Sequence, residues 1–294
     1  RVGDGPLPRL AGAAPSDDTI PIVGRTPPFA AVMTLIVVVS CGSDGGMPTG
    51  RTSSSNESGK SSTTSLASPA VPARIDLPEG VGGLEGIAVD PDTKRVLVSD
   101  TSTGAIWAGR LDNKPFETFI EPETTTAVGL AADTQRRLLY VATGPEGQLD
   151  VHNLDSGELV EQIDLPVVAN SFVNDVAVAP DGTVYVTDSG VGRLFVHLPE
   201  TATAKLFLDL ATTNLVDASA PQLQLNGVVA DDSTVLVNHM ASASLLRVDR
   251  ETAEVSVVDV QGADSAGRDG LLLCDDLLYG AEVGALNGGN EAIR

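Results

Sequence analysis

The sequence predicts an all-β protein, a β-propeller of four-stranded blades, on three observations. Five segments start alike: "LEGIAVDPD", "VGLAAD", "VNDVAVAPDG", "LNGVVADD" and "RDGLLLCDD". Aligned on Gly86, Gly129, Asp175, Gly227 and Gly270, they recur at intervals of 43, 46, 52 and 43 residues. Repeats of that length built from short strands are the mark of a propeller with one blade per repeat. The third observation is local: apolar and polar residues alternate in short blocks, cut by Gly, Asp, Ser or Pro-Asp turns, and no window sustains a helical stripe.

Each repeat continues in the same way. After "GIAVDPDTK" come "RVLVSDTSTGAIWAGRL" and "PFETFI"; after "DVAVAPDGT" come "VYVTDSGVGRLFVHL" and "AKLFLDL"; after "GVVADDS" come "TVLVNHMASASLLRVDR" and "EVSVVDV". The short apolar runs Ile87–Val89, Val176–Val178 and Gly227–Val229 are expected as inner strands buried between blades, with charge carried on the outer strands. Residues 75–294 supply slightly under five blades at about 45 residues each. The last repeat stops inside or just after its third strand, and Ala73–Leu77 resembles the outer-strand segment Glu161–Leu165. The chain is therefore expected to be incomplete at its C-terminus, with a lone outer strand at the start of the 73–294 propeller.

The first 72 residues stand apart. Residues 1–24 precede any signal and read as disordered or mis-started sequence. Ala30–Val39 is an apolar run too short for a bilayer, which takes about 20 residues. With Arg25 before it and "VVSC" ending at Cys41, residues 25–41 read as a lipoprotein-type signal with Cys41 as the lipidated residue. Residues 42–72 are a Ser/Thr/Gly-rich tether. The expected location is extracytoplasmic and lipid-anchored at the cell membrane, with secretion as the alternative. A start site placed too far upstream would give the same residues with no meaning in the apolar run.

The formal net charge is −22, and from residue 75 onward 35 acidic residues face 12 basic ones. Such a surface repels phosphate backbones, and no basic cluster with interleaved aromatics exists, which excludes nucleic acid as a partner. A monomer is expected. With Cys41 lipidated, Cys274 would be left alone on an apolar strand as core filler.

The residue before each anchor is Glu85, Val128, Asn174, Asn226 and Asp269. Four of the five carry side-chain oxygens, and the starts of inner strands converge on a propeller's axis. Asn and Asp before a turn glycine are ordinary taken singly, but Glu85 has no such turn preference. Two carboxylates and two amides without His or Cys suit a hard cation, Ca²⁺ or Mg²⁺, rather than zinc or copper. Four side chains leave calcium's shell underfilled, with room for water and a substrate oxygen. Asp100 and Asp188 end second strands and are expected to cap turns or pair with Arg193. His152 and His197 read as structural or surface residues, and His239, aligned with Asp100 and Asp188, as structural or as part of the channel mouth.

The motifs "GLEGIAVDP", "FVNDVAVAPDGTVYVTDS", "LNGVVADD" and "GRDGLLL" resemble those of the senescence marker protein / gluconolactonase / luciferin-regenerating enzyme family, the regucalcin-like six-bladed propellers. The resemblance covers about Leu77 to Gly284. It implies a metal held by Glu85, Asn226 and Asp269, with Asn174 bordering metal and substrate. It also implies a calcium-dependent lactonase or esterase, with Mg²⁺ or Mn²⁺ as alternative cations, and Asp269 as the general base. Where many sugar lactonases of that group carry an Arg two residues before the "ND" Asn, this chain has Phe172. That departure predicts a hydrophobic lactone or ester rather than a polar aldonolactone, with Phe172 and Asn174 as substrate-binding residues. The competing expectation is a non-catalytic, extracellular NHL-like propeller acting as a ligand-binding or sensor module.

Overall fold

A computed structural model describes residue 78 and residues 81–112, 114–122, 125–215, 224–260, 268–274, 277–282 and 292–293. Residues 1–72, with the signal, the tether and Cys41, and the expected lone strand at Ala73–Leu77 all lie outside the described residues.

The described residues form five antiparallel sheets, four of four strands and one of three. The first holds β1 (Leu84–Asp90), β2 (Arg95–Asp100), β3 (Ile106–Arg110) and β4 (Lys114–Ile120). The second holds β5 (Leu130–Asp133), β6 (Leu138–Ala142), β7 (Gln148–Asn153) and β8 (Leu159–Asp164). The third holds β9 (Val173–Val178), β10 (Val184–Asp188), β11 (Arg193–His197) and β12 (Ala204–Asp209). The fourth holds β13 (Leu225–Ala230), β14 (Thr234–His239), β15 (Ser244–Asp249) and β16 (Val255–Val258). The fifth holds β17 (Arg268–Cys274), β18 (Leu277–Glu282) and β19 (Ala292–Ile293). Each sheet is a simple meander, and the expected propeller blades are present. Among the described residues, the helical elements are two three-residue 3-10 turns, and no helix is long and apolar enough to cross a membrane.

The first strands of successive blades touch one another, β1 against β5, β5 against β9, β9 against β13 and β13 against β17, which makes them the inner strands. Apolar clusters fill the spaces between blades. Leu97, Leu130 and Leu139 pack between the first and second, Val128, Val176 and Phe195 between the second and third, and Leu194, Val228 and Leu246 between the third and fourth. Outer strands are the exposed ones, and along β8 Ile163 alone is buried. Cys274 is buried and disulfide-bonded, not the lone thiol expected from the sequence.

The repeated glycine has a steric cause. A Cβ on Gly86 would sit 2.8 Å from the Leu130 nitrogen and closer still to the Val128 carbonyl; on Gly227 it would sit 2.8 Å from the Leu271 nitrogen and closer to the Asp269 carbonyl. Neighbouring inner strands approach so tightly that the Gly129 nitrogen donates to the Asn174 carbonyl at 2.8 Å across two blades. Here glycine serves close backbone approach, not a turn. Ion pairing adds a clamp farther out. Arg137, on the second blade, donates to Asp90 Oδ1 at 3.1 Å and to Oδ2 at 2.7 Å, and burial's upward push on Asp90 is outweighed by these bonds, which hold its carboxyl at about 2.

Gly86→Ala is expected to cost about 2 kcal/mol or more of unfolding free energy, the order of an overpacked core. Gly270→Ala, whose added Cβ meets nothing within 4 Å, is expected to be near neutral. Denaturant melts of the two variants beside the parent check this contrast.

Candidate functional site at the hub of the blades

Each oxygen-bearing residue singled out by the repeat stands at an irregularity in its inner strand. Strand register shifts between Leu84 and Ile87, between Leu225 and Val228, and between Arg268 and Leu271, bracketing the Glu85-Gly86, Asn226-Gly227 and Asp269-Gly270 pairs. The third blade shifts opposite Asn174-Asp175. In the second blade, where the aligned residue is Val128, β5 begins only at Leu130, and Ala142 bonds two residues before it, its carbonyl accepting from the Val128 nitrogen at 2.8 Å and its nitrogen donating to the Gly129 carbonyl at 3.0 Å. A bulge adds a residue on one strand and re-aims a side chain. Backbone groups freed by the bulges are taken up from the second strand: Ser99 Oγ accepts from the Gly86 nitrogen at 2.7 Å, and Thr187 Oγ1 from the Asp175 nitrogen at 2.9 Å. Asn238 Nδ2 donates to the Asp269 carbonyl of the next blade at 3.2 Å.

The structure brings three of the four candidates into one hydrogen-bonded line across three blades. Asn174 Nδ2 donates to Asn226 Oδ1 at 3.0 Å, and Asn226 Nδ2 donates to Asp269 Oδ1 at 2.6 Å. Glu85 faces the same region from the first blade, close enough for the charges of Asp269 and Asp175 to raise its proton affinity. Burial is the larger cause, and it pushes the Glu85 carboxyl well above the ordinary range. Glu85 takes no hydrogen bond among the described residues. Burial also raises Asp269, with the Asn226 amide acting in the opposite direction. Asp175 is pushed up to about 7, first by burial and then by Asp269, against bonds from the Val228 and Val176 nitrogens.

These carboxylates are half-buried and close enough to repel one another. Neutralisation by protons or by a cation relieves them. A second feature points the same way: Asn174 is 3% exposed, and its Oδ1 is a buried acceptor with no donor. Its Nδ2 also donates to Ser189 Oγ at 2.7 Å, and Ser189 in turn bonds the Leu225 carbonyl. The donor set of two carboxylates and two amides therefore fits a hard divalent ion. Among the described residues no three His, Cys, Asp or Glu side chains group at metal-ligand spacing, so any such site depends on the amides Asn174 and Asn226.

Other sequence expectations divide. Phe172 is half-buried and packs on the core cluster between the second and third blades, with its ring 3.3 Å from where a Cβ on Gly144 would lie. Asp100 and Asp188 cap loops: Asp100 Oδ1 accepts from the Gly83 and Ser102 nitrogens, and Asp188 Oδ1 from those of Phe172 and Gly190. Arg193 pairs with Asp209 at 2.9 Å, not with Asp188. His239 is structural, accepting from the Ser242 nitrogen at 3.2 Å while Nε2 lies 2.7 Å from Gln224 Oε1. His152 is buried with Nδ1 3.0 Å from the Gly157 carbonyl, and His197 is likewise buried on β11.

Sequence reasoning passed over three neighbours of the site. Asp175 serves in the sequence only as an alignment anchor; its being the one carboxylate at a glycine position is the signal. Ser189, in "TDSG", orients Asn174. Met240 places its sulfur 2.9 Å from Asn226 Nδ2, and nothing in the sequence marks it.

No family model matches the chain, and no curated protein matches it. Among solved structures the fold is similar to a catalytically inactive virginiamycin B lyase from Staphylococcus aureus with quinupristin, at 12% identity and TM-score 0.55, covering 73% of this chain and 70% of that one. It is also similar to a protein provisionally assigned as a gluconolactonase, at 18% identity and TM-score 0.53, covering 69% and 72%. Hydrazine synthase of Kuenenia stuttgartiensis matches at 15% identity and TM-score 0.51, covering 67% and 61%. At these identities the likenesses establish the propeller fold alone.

Carboxyls raised in the folded state bind more protons than in the unfolded chain, so they stabilise the fold in acid and lose that contribution as pH rises through their folded values. For Asp175 the window runs from 3.8 to about 7. The melting temperature of chelator-treated protein is expected to fall across that window. Asp175→Asn is expected to flatten the decline, as read by a melting series at several pH values.

Proposed function

We propose that the chain is a divalent-cation-dependent hydrolase of lactones or esters, with calcium as the favoured ion and a hydrophobic substrate class. The observation that carries this reading is the convergence of Glu85, a half-buried carboxylate with no hydrogen-bond donor among the described residues, on the Asn174–Asn226–Asp269 line. The motif resemblance to gluconolactonase-type propellers supports it, and the fold likeness to a provisionally assigned gluconolactonase is compatible with it.

In this mechanism Glu85, Asn226 and Asp269 would hold the cation, and Asn174 would border it and the substrate. When bound, the ion supplies Lewis-acid polarisation of the carbonyl and charge stabilisation of the developing oxyanion. Asp269 orients the attacking water, takes its proton as general base while the new acyl C–O bond forms, and returns that proton to the departing alkoxide oxygen as the ester C–O bond breaks. Asn226 fixes the Asp269 carboxylate through the 2.6 Å bond. Ser189 holds the Asn174 amide. Asp175 adds negative charge beside Glu85 and favours a cation over a neutral occupant. Phe172, seated on the core, shapes the wall of the third blade rather than offering a hydroxyl-binding group. The base must be ionised, so activity falls in acid.

A second reading, a non-catalytic binding propeller, is favoured by one feature: the amide–carboxylate line ties three blades together and would serve a purely structural ion equally well.

Asp269→Ala is expected to abolish both calcium binding, read by titration calorimetry, and hydrolysis of a panel of alkyl lactones and aryl esters. Full activity in this variant removes Asp269 from the mechanism. Absence of turnover in the calcium-loaded parent, with a large calcium-dependent rise in melting temperature, selects the structural reading.

A further inference from the structure

A cleft of about 310 Å³ lies between the third and fourth blades, away from the starts of the inner strands. It is lined from the β9–β10 turn, the near ends of β10, β11 and β12, and the turn after β15. Its volume is at the lower end of the range for small-molecule pockets, about 300 to 1,000 Å³. Nothing in the proposed hydrolysis uses it.

Its floor is rigid. Arg250 donates through Nε to Tyr185 Oη at 3.0 Å, through Nη1 to the Asp231 and Asp232 carbonyls at 2.8 Å each, and through Nη2 to Asp181 Oδ2 at 2.7 Å. The Arg250 guanidinium also lies over the Tyr185 ring, 5.6 Å from its centroid. Phe207 meets Tyr185 edge-on with centroids 5.3 Å apart. Two of the chain's ten aromatic residues are thus spent here. Leu198, 43% exposed, adds an apolar wall.

Lys205 differs from Arg250. It stands two residues before Phe207 on β12; a bulge at Phe207 breaks the strand's strict alternation, and both residues line the cleft. It lines the cleft and makes no ion pair among the described residues. Asp181 is already committed to Arg250 and to the Thr183 nitrogen. In a chain of net charge −22, this leaves an uncommitted ammonium beside an aromatic and aliphatic wall.

We propose that this cleft binds a small monocarboxylate with an apolar body, its carboxylate on the Lys205 ammonium and its body against Phe207 and Leu198. Tyr185, held by Arg250, is the backstop that keeps Phe207 in place. Ester and lactone hydrolysis releases molecules of this class, but the inference stands on the cleft alone and does not depend on the hub being catalytic.

The test uses chelator-treated protein, so the hub plays no part in the readout. Binding of 3-phenylpropionate, followed by ligand-observed NMR, is expected to saturate. Its neutral isostere 3-phenylpropanamide and the variant Lys205→Met are each expected to weaken it about fivefold, the scale of one partly exposed charge pair. Leu198→Glu, at an exposed position, is expected to abolish binding without changing the melting temperature. The proposal is overturned by a lack of saturation up to about 10 mM, an affinity too weak for a specific site. Equal affinities for acid and amide, or an unchanged affinity in Lys205→Met, overturn it as well.

Discussion

The close packing of inner strands around the hub is the constraint on which the rest depends. Glycine at the repeated anchor lets one blade's backbone lie against the next, as the Gly129–Asn174 hydrogen bond and the space around Gly86 and Gly227 show. That approach draws residues 85, 174, 226 and 269 together, although nearly two hundred positions separate the first from the last. It also removes water from around carboxylates that then feel one another. Packing and site electrostatics are therefore one problem here. The geometry that buries the apolar inner strands gathers negative charge at a half-buried hub.

Bulges convert this packing into chemistry. A regular strand alternates its side chains between the two neighbouring blades, and none points along the hub. The register shift beside Glu85, Asn226 and Asp269 breaks the alternation at the one dipeptide that matters. The second blade has Val128 at the aligned position and contributes no polar side chain there. Ser99 and Thr187 absorb the backbone cost by bonding the displaced nitrogens. Capping by Asp100, Asp188 and His239 then fixes the loops behind them.

Much of this was legible in the sequence because a propeller repeats its sterics. Spacing gave the blades, strand alternation gave the inner and outer edges, and the position before each anchor gave the four candidates. What was not legible depends on contacts between blades. Glycine at the anchor looks like a turn residue when read alone, and its true reason is the neighbouring strand. Asp175 occupies a glycine position because its carboxylate reaches across to accept the Val228 nitrogen, which no local pattern reveals. Phe172 is partly buried, and its packing against the core cluster between blades is not visible in its offset from Asn174. Met240 reaches the site through a 3-10 turn whose direction depends on the His239 cap.

The central claim is that one cation completes the hub. Crystals soaked with Mn²⁺ and measured at its absorption edge test this most directly. The account expects one strong anomalous peak within direct coordination distance of oxygens from Glu85, Asn226 and Asp269, with the Asn174 amide alongside. Fully occupied protein crystals with no peak at that position, or with the ion bound at an outer-strand carboxylate instead, would contradict it.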